Sequence, residues 1–308
     1  MKKLSKTNFQ KVVNYIKRNG RELDQRLFSF YFEKGSKDNV IKTLEKYQNS
    51  DGGFGHGIEP DFRSSSSSPI ATTMAIEYLE KIRVLKDSPV IIKAMDYLVR
   101  NFDQPLQKWR AVPKDVNNFP HAPWWHINDK TGLCVIDQGW ENPTVEIIGY
   151  LRQYPNVFPS IILEKLTQKA IKLLLSYTNK MESEHILYCY LIFYNHIPEK
   201  YQIQIKSKLC ELIKGTVNTN VNDWIDKYVP MPLQLVDDPK SPFFSLISNS
   251  LDHNLNFLIN MVEKKEAWFP TWRWGQYEED WEKAKIEWTG KNAVNNLIIL
   301  KKFGRIEN

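Results

Sequence analysis

The chain is poor in cysteine. Three thiols, Cys134, Cys189 and Cys210, stand among 308 residues, and none forms a C-x-x-C pair. So sparse and odd a set rules out a disulfide framework and fits a reducing compartment. Long apolar runs are missing as well. IKLLLSY and NLIIL fall far short of the roughly 20 residues that span a bilayer. The charged opening, MKKLSKTNFQKVV, has no apolar signal-peptide core. The expectation is a cytoplasmic, soluble protein without a membrane span. Lysines and arginines give a net charge of +6 but are scattered, and no DNA- or RNA-binding signature accompanies them. Nucleic acid is therefore set aside as a partner. No GK[ST] follows the glycines, G-x-G-x-x-G is unmatched, and no G-x-S-x-G elbow occurs.

What is present is helical periodicity. In PVIIKAMDYLVRNF, the residues Val90, Ile91, Ala94, Met95, Leu98, Val99 and Phe102 form one stripe. PIATTMAIEYLEKI does the same through Ile70, Met74, Ala75, Tyr78, Leu79 and Ile82. DNVIKTLEKYQ repeats it briefly, and similar patterns run through roughly 8–33, 143–154, 160–178, 183–195, 201–214, 246–264 and 289–303. Period-two alternation is almost absent, so the chain reads as all-α. Ser68-Pro69, Ser88-Pro89, Asn142-Pro143 and Ser241-Pro242 each place a capping residue before proline, a helix-start signal. Short connections alternate with long loops rich in Gly, Pro and Trp, near 49–67, 104–141, 215–241 and 267–280. The irregular period argues against a strict solenoid. No convincing domain boundary appears, so 1–308 reads as one domain.

The segment YQNSDGGFG carries Gln48, Asp51, Gly52, Gly53 and Phe54 in a Q-x-x-D-G-G-F pattern. AWFPTWRWG at 267–275 is a weaker echo, and WRAVPKD at 109–115 a degenerate one. The pattern resembles that of the α/α-toroid superfamily, which holds terpenoid cyclases and protein prenyltransferases. The chain also looks like a group of bacterial proteins sharing QN-x-DGGFGHG-x-EPD, HAPWW and EW-x-G…FGRI. The resemblance implies a barrel of paired inner and outer helices, about five to six hairpins, around a central cavity. It also implies that Gln48 and Phe54 are structural, tying one helix to the next. The family's D-x-D-D and DD-x-x-D acid motifs are absent, and no segment matches the prenyltransferase zinc ligands. The fold is thus better supported than the family's activities.

Several loop residues exceed what a structural tie requires. In HGIEPD, the imidazole of His56 and the carboxylates of Glu59 and Asp61 suit acid–base chemistry or a divalent cation, or else cap turn N–H groups. HAPWWHIND adds His121, Trp124 and Trp125. Pro123 keeps His121 and His126 from forming a helical metal pair, and in an extended backbone the two indoles face opposite ways. Glu141 precedes the Asn142-Pro143 helix start and serves either catalysis or the helix dipole. Near the C-terminus, Trp272, Arg273, Trp274, Glu287 and Trp288 offer aromatic faces and an anion-binding guanidinium. No metal site is assigned, and no cofactor is identified. On the toroid analogy, loops 49–67, 104–141 and 267–288 line one rim.

Three functions follow. The first is an enzyme or binder for an isoprenoid-type ligand in an aromatic-lined cavity, of prenyltransferase or terpene cyclase type. The second is a carbohydrate-active lyase or hydrolase, since acids beside tryptophans suit sugars. The third is a non-catalytic scaffold. The analogy with the superfamily places the isoprenoid reading first.

Overall fold

The computed structural model describes residues 1–307. Their regular structure is helical, and only isolated bridges pair extended segments. The chain divides into two compact units, Met1–Thr43 with Thr216–Asn308 and Leu44–Gly215. No helix among the described residues is long and apolar enough to cross a membrane.

In the first unit, α1 (Lys6–Asn19) starts at Ser5, whose hydroxyl accepts the Asn8 N–H at 3.2 Å. The expected helix over 8–33 is broken in two. Gly20 turns extended, its N–H caps the Ile16 carbonyl, and any Cβ there would come within 2.7 Å of that oxygen. The chain resumes as α2 (Glu22–Phe32) and α3 (Lys37–Leu44). Two later helices complete the unit's core, α11 (Ser248–Lys264) and α12 (Glu278–Lys302), with the single-turn α10 (Pro232–Leu235) before them. Ser241-Pro242 opens a 3-10 turn at Phe244–Leu246 rather than the helix itself. α12 begins well before 289. Glu278, Glu279 and Asp280 fill its first turn and Lys301 and Lys302 its last, each matching the helix dipole. Gly290 lets α12 cross the α1–α2 turn, for a Cβ there would lie 3.0 Å from the Gly20 Cα. The C-terminal FGRI closes the unit. Leu4 N–H bonds the Arg305 carbonyl at 2.7 Å, and the buried Arg305 side chain holds Asp252 at 2.6 Å, Asn256 and the Lys2 carbonyl.

The second unit contains α4 (Pro69–Lys81), α5 (Pro89–Arg100), α6 (Thr144–Arg152), α7 (Ser160–Ser176), α8 (Glu184–His196) and most of α9 (Glu199–Thr216). Ser68 caps α4 through the Ala71 N–H with Pro69 at the first position, as the sequence predicts. Ser88-Pro89 opens α5 with proline at its first position, but the Ser88 side chain makes no capping bond. The Asn142–Pro143 bond is cis, and α6 starts at Thr144. Every residue of α6 from Thr144 to Leu151 is buried, so it has no solvent face. Its main packing partners are α7 and α8. Gly149 permits the α8 approach, since a Cβ there would meet the Phe193 Cα at 3.0 Å.

Candidate functional site

The glycine-rich stretch behaves as two pieces. In the first, the Gln48 amide donates to the carbonyls of Gly52 and Val90, both at 2.9 Å, and so joins the loop to α5. Phe54 is fully buried and bridges both Gln48 and Ser68. Gly52 takes φ +87, and a Cβ at Gly55 would strike the Ser65 and Ser66 carbonyls at 2.4 Å. These glycines serve turn geometry and close packing. All the polar groups named here belong to a tie.

The second piece forms a wall with a distant loop. Residues 61–63 run antiparallel to 120–122 through Ala122 N–H to the Asp61 carbonyl, 2.8 Å, and Arg63 N–H to the Pro120 carbonyl, 2.9 Å. The pairing brings Asp61 and His121 onto neighbouring segments, with Glu59 two residues from Asp61. All three are buried, at 4%, 5% and 1% exposure for Glu59, Asp61 and His121. Glu59 Oε1 accepts the Asp61 N–H at 3.2 Å, a turn-capping bond. His56 is not part of this group. It is exposed, at φ +55, and its Nε2 lies 2.9 Å from the Asn49 side-chain oxygen.

His121 forms a pair with His126. Its Nδ1 faces the Phe119 carbonyl at 2.6 Å, and a carbonyl only accepts, so Nδ1 carries the proton. In the neutral ring Nε2 is then an acceptor, and His126 Nδ1, 3.1 Å away, donates to it. Burial lowers the His121 pKa below its usual value. The Phe119 bond opposes this, and the His126 charge adds to it. His121 is thus a neutral imidazole, joined to solvent through the exposed His126.

Pro123–Trp125 is a 3-10 turn, not extended backbone. Trp124 is half-buried, whereas Trp125 is 7% exposed and meets Phe62 edge-to-face at 6.0 Å. The Trp125 indole N–H is buried and has no hydrogen-bond partner. Trp109, Trp140, Trp224 and Trp268 instead donate to the carbonyls of Leu98, Gln107, Asn218 and Leu258. An unmet buried donor costs about 1–3 kcal/mol. Asn117 braces this loop from behind, donating to the Ile127 carbonyl at 2.7 Å and accepting the Ile127 N–H at 2.8 Å.

Glu141, also buried, accepts the Tyr177 hydroxyl at 2.9 Å, and no bond connects it to the wall residues. The C-terminal candidates belong to the first unit. Trp272 and Arg273 lie in its loop with Trp274, while Glu287 and Trp288 lie within α12. Trp272 packs edge-to-face on Tyr228 at 5.5 Å and on Trp288 at 5.3 Å, and its buried indole N–H also has no partner. The Lys291 ammonium stands 5.1 Å over the Trp288 ring. Trp274 is buried against Trp281. Arg273 is exposed, and its guanidinium pairs with Glu278 at 2.7 Å. A cleft of about 270 Å³ in the same unit lies among Phe244, Leu251, Leu255, Phe303 and Arg305, and none of the sequence-predicted residues lines it. Among the described residues no three His, Cys, Asp or Glu side chains are arranged to hold a metal ion.

Sequence reasoning missed Asn117, Tyr177 and Glu146. Only Glu146 left a signal, as a lone carboxylate inside the apolar run TVEIIGYL. No family model matches the chain, and neither a curated protein nor a solved structure matches it.

Proposed function

We propose that the wall of residues 56–63 and 119–126 binds a small polyhydroxylated, carbohydrate-type ligand, on helices arranged as an α/α toroid. The observation that carries this reading is the placement of Glu59 and Asp61, both almost fully buried, in one wall with Trp125. Carboxylate oxygens accept from hydroxyls, the indole N–H donates to a hydroxyl or ring oxygen, and aromatic faces pack on sugar C–H groups. If the site is catalytic, the same acids supply lyase or hydrolase chemistry.

An isoprenoid-type ligand is the second reading. The bonds of Gln48 to Gly52 and Val90 favour it, because they are the tie that the resemblance to terpenoid cyclases and prenyltransferases leads one to expect. A thermal-shift screen with oligosaccharides, isoprenoid diphosphates and divalent ions separates the two. Stabilisation by sugars, lost in Asp61→Asn, supports the first. A response to isoprenoid diphosphates alone replaces it with the second, and silence in all arms leaves the scaffold role.

A further inference from the structure

α4, α6 and α8 of the second unit meet around a cluster of ionisable groups that the proposed ligand wall does not use. Glu146, on the fully buried α6, is 7% exposed and bonds Thr73 of α4. From α4 it also feels Glu77 and Glu80, and from α8 it feels His196. Glu77 is paired with Lys81 at 2.7 Å. His196 Nε2 bonds the Glu80 carboxylate, and its Nδ1 faces the Ile192 carbonyl at 2.7 Å. Tyr150 of α6 packs edge-to-face on the His196 ring at 5.0 Å, and the buried Cys189 of α8 lies near both Glu146 and Tyr150. Lys86, after α4, opposes the charge on His196. α7 directs Glu164 and Thr167 to Arg152 at the far end of α6.

We infer that this junction is a proton-operated latch, in which protons on Glu146 and His196 hold α4, α6 and α8 together and loss of both loosens them. Burial pushes the Glu146 carboxyl up to about 7. The Thr73 bond opposes that rise, and Glu77 and Glu80 add to it. For His196, burial alone would lower the pKa, but the Glu80 bond and charge and the Ile192 carbonyl outweigh it, so the net shift is upward. Both groups therefore hold their protons more tightly when folded than when unfolded. Their stabilisation is complete below the unfolded values, near 4.5 for Glu146 and 6.5 for His196, and is lost as pH rises through the folded ones. The two losses come in sequence, because the His196 charge lowers the Glu146 pKa and an ionised Glu146 in turn helps His196 keep its proton. Once both protons are gone, Glu146 stands as a third carboxylate beside Glu77 and Glu80 with no imidazolium to offset it.

Hydrogen exchange on the full chain between about pH 6 and 8.5 tests the latch, with rates corrected for intrinsic chemistry. Amides of α4, α6 and α8 should lose protection as pH rises. Two released protons give an opening constant that climbs at most about a hundredfold per pH unit, and one gives at most about tenfold. Glu146→Gln keeps the side-chain shape but cannot ionise, so its dependence should fall towards the one-proton limit. His196→Gln should remove the other proton. A slope in Glu146→Gln equal to wild type, or flat protection in wild type, overturns the proposal. If His196→Gln does not fold, infrared spectroscopy decides. A protonated-carboxyl band at neutral pH must be present in wild type and missing in Glu146→Gln, and its absence from wild type overturns the proposal.

Discussion

Trp109 and Trp125 sit in the same long loop of the second unit, and both are buried, yet the protein treats them differently. Trp109 is completed on every side. Its indole N–H donates to the Leu98 carbonyl at the end of α5, its backbone N–H to the Thr144 hydroxyl, and its ring packs on Phe102 at 4.7 Å and Phe158 at 5.9 Å. Trp125 has the packing but not the polar partner. An unmet buried donor costs about 1–3 kcal/mol, so the two tryptophans differ in what each contributes to stability. Trp125 thus carries an unmet donor that Trp109 does not, as Trp272 does in the first unit.

The contrast can be broken most severely at Trp109. Trp109→Phe strands the Leu98 carbonyl and leaves a gap between Phe102 and Phe158. We expect a loss of about 2–4 kcal/mol in urea unfolding, with no specific effect on ligand response. A smaller loss is expected from Asn117→Ala. It removes both bonds to Ile127, which is only half-buried, so water replaces part of what is lost. The cost should be about 1–2 kcal/mol. Because the brace holds the loop carrying Trp125, ligand-induced stabilisation should also weaken. A full-strength ligand response in Asn117→Ala would show that the wall keeps its shape without the brace.

How much of this was legible in the sequence depends on whether the cause is local. The Ser68-Pro69 and Ser88-Pro89 starts and most of the α5 stripe read out, because caps and periodicity act within a few residues, whereas α4 is buried beyond its expected stripe at Ala71, Thr72, Thr73 and Ile76, and the tie through Gln48, which reaches Val90 of α5, came only with the resemblance. The break at Gly20 was missed because the apolar stripe continues across it. The first turns of α12 were missed because their tryptophans and acids look like loop composition. The candidate site was legible as residue types but not as a grouping. Nothing in HGIEPD shows that Asp61 pairs with the chain beside His121, sixty residues away, while His56 turns outward to Asn49. Asn117 was invisible for the same reason, since its partner Ile127 is set by the path of the loop.

The finest test of the contrast is Trp125→Phe, compared with the same change at Trp109. At Trp125 the substitution deletes a buried donor that bonds nothing, which relieves about 1–3 kcal/mol. It also removes part of a ring that packs on Phe62, a loss of comparable size. The two nearly cancel, so stability should stay within about 1 kcal/mol of wild type. Ligand binding should not survive so well, because the lost N–H is the donor assigned to the ligand's oxygen. The expected signature is therefore inverted between the two tryptophans, with stability lost and response kept at position 109, and stability kept and response lost at position 125. If Trp125→Phe destabilises the protein as much as Trp109→Phe while sugar-induced stabilisation is unchanged, Trp125 is a packing residue and the wall loses its claim to a ligand.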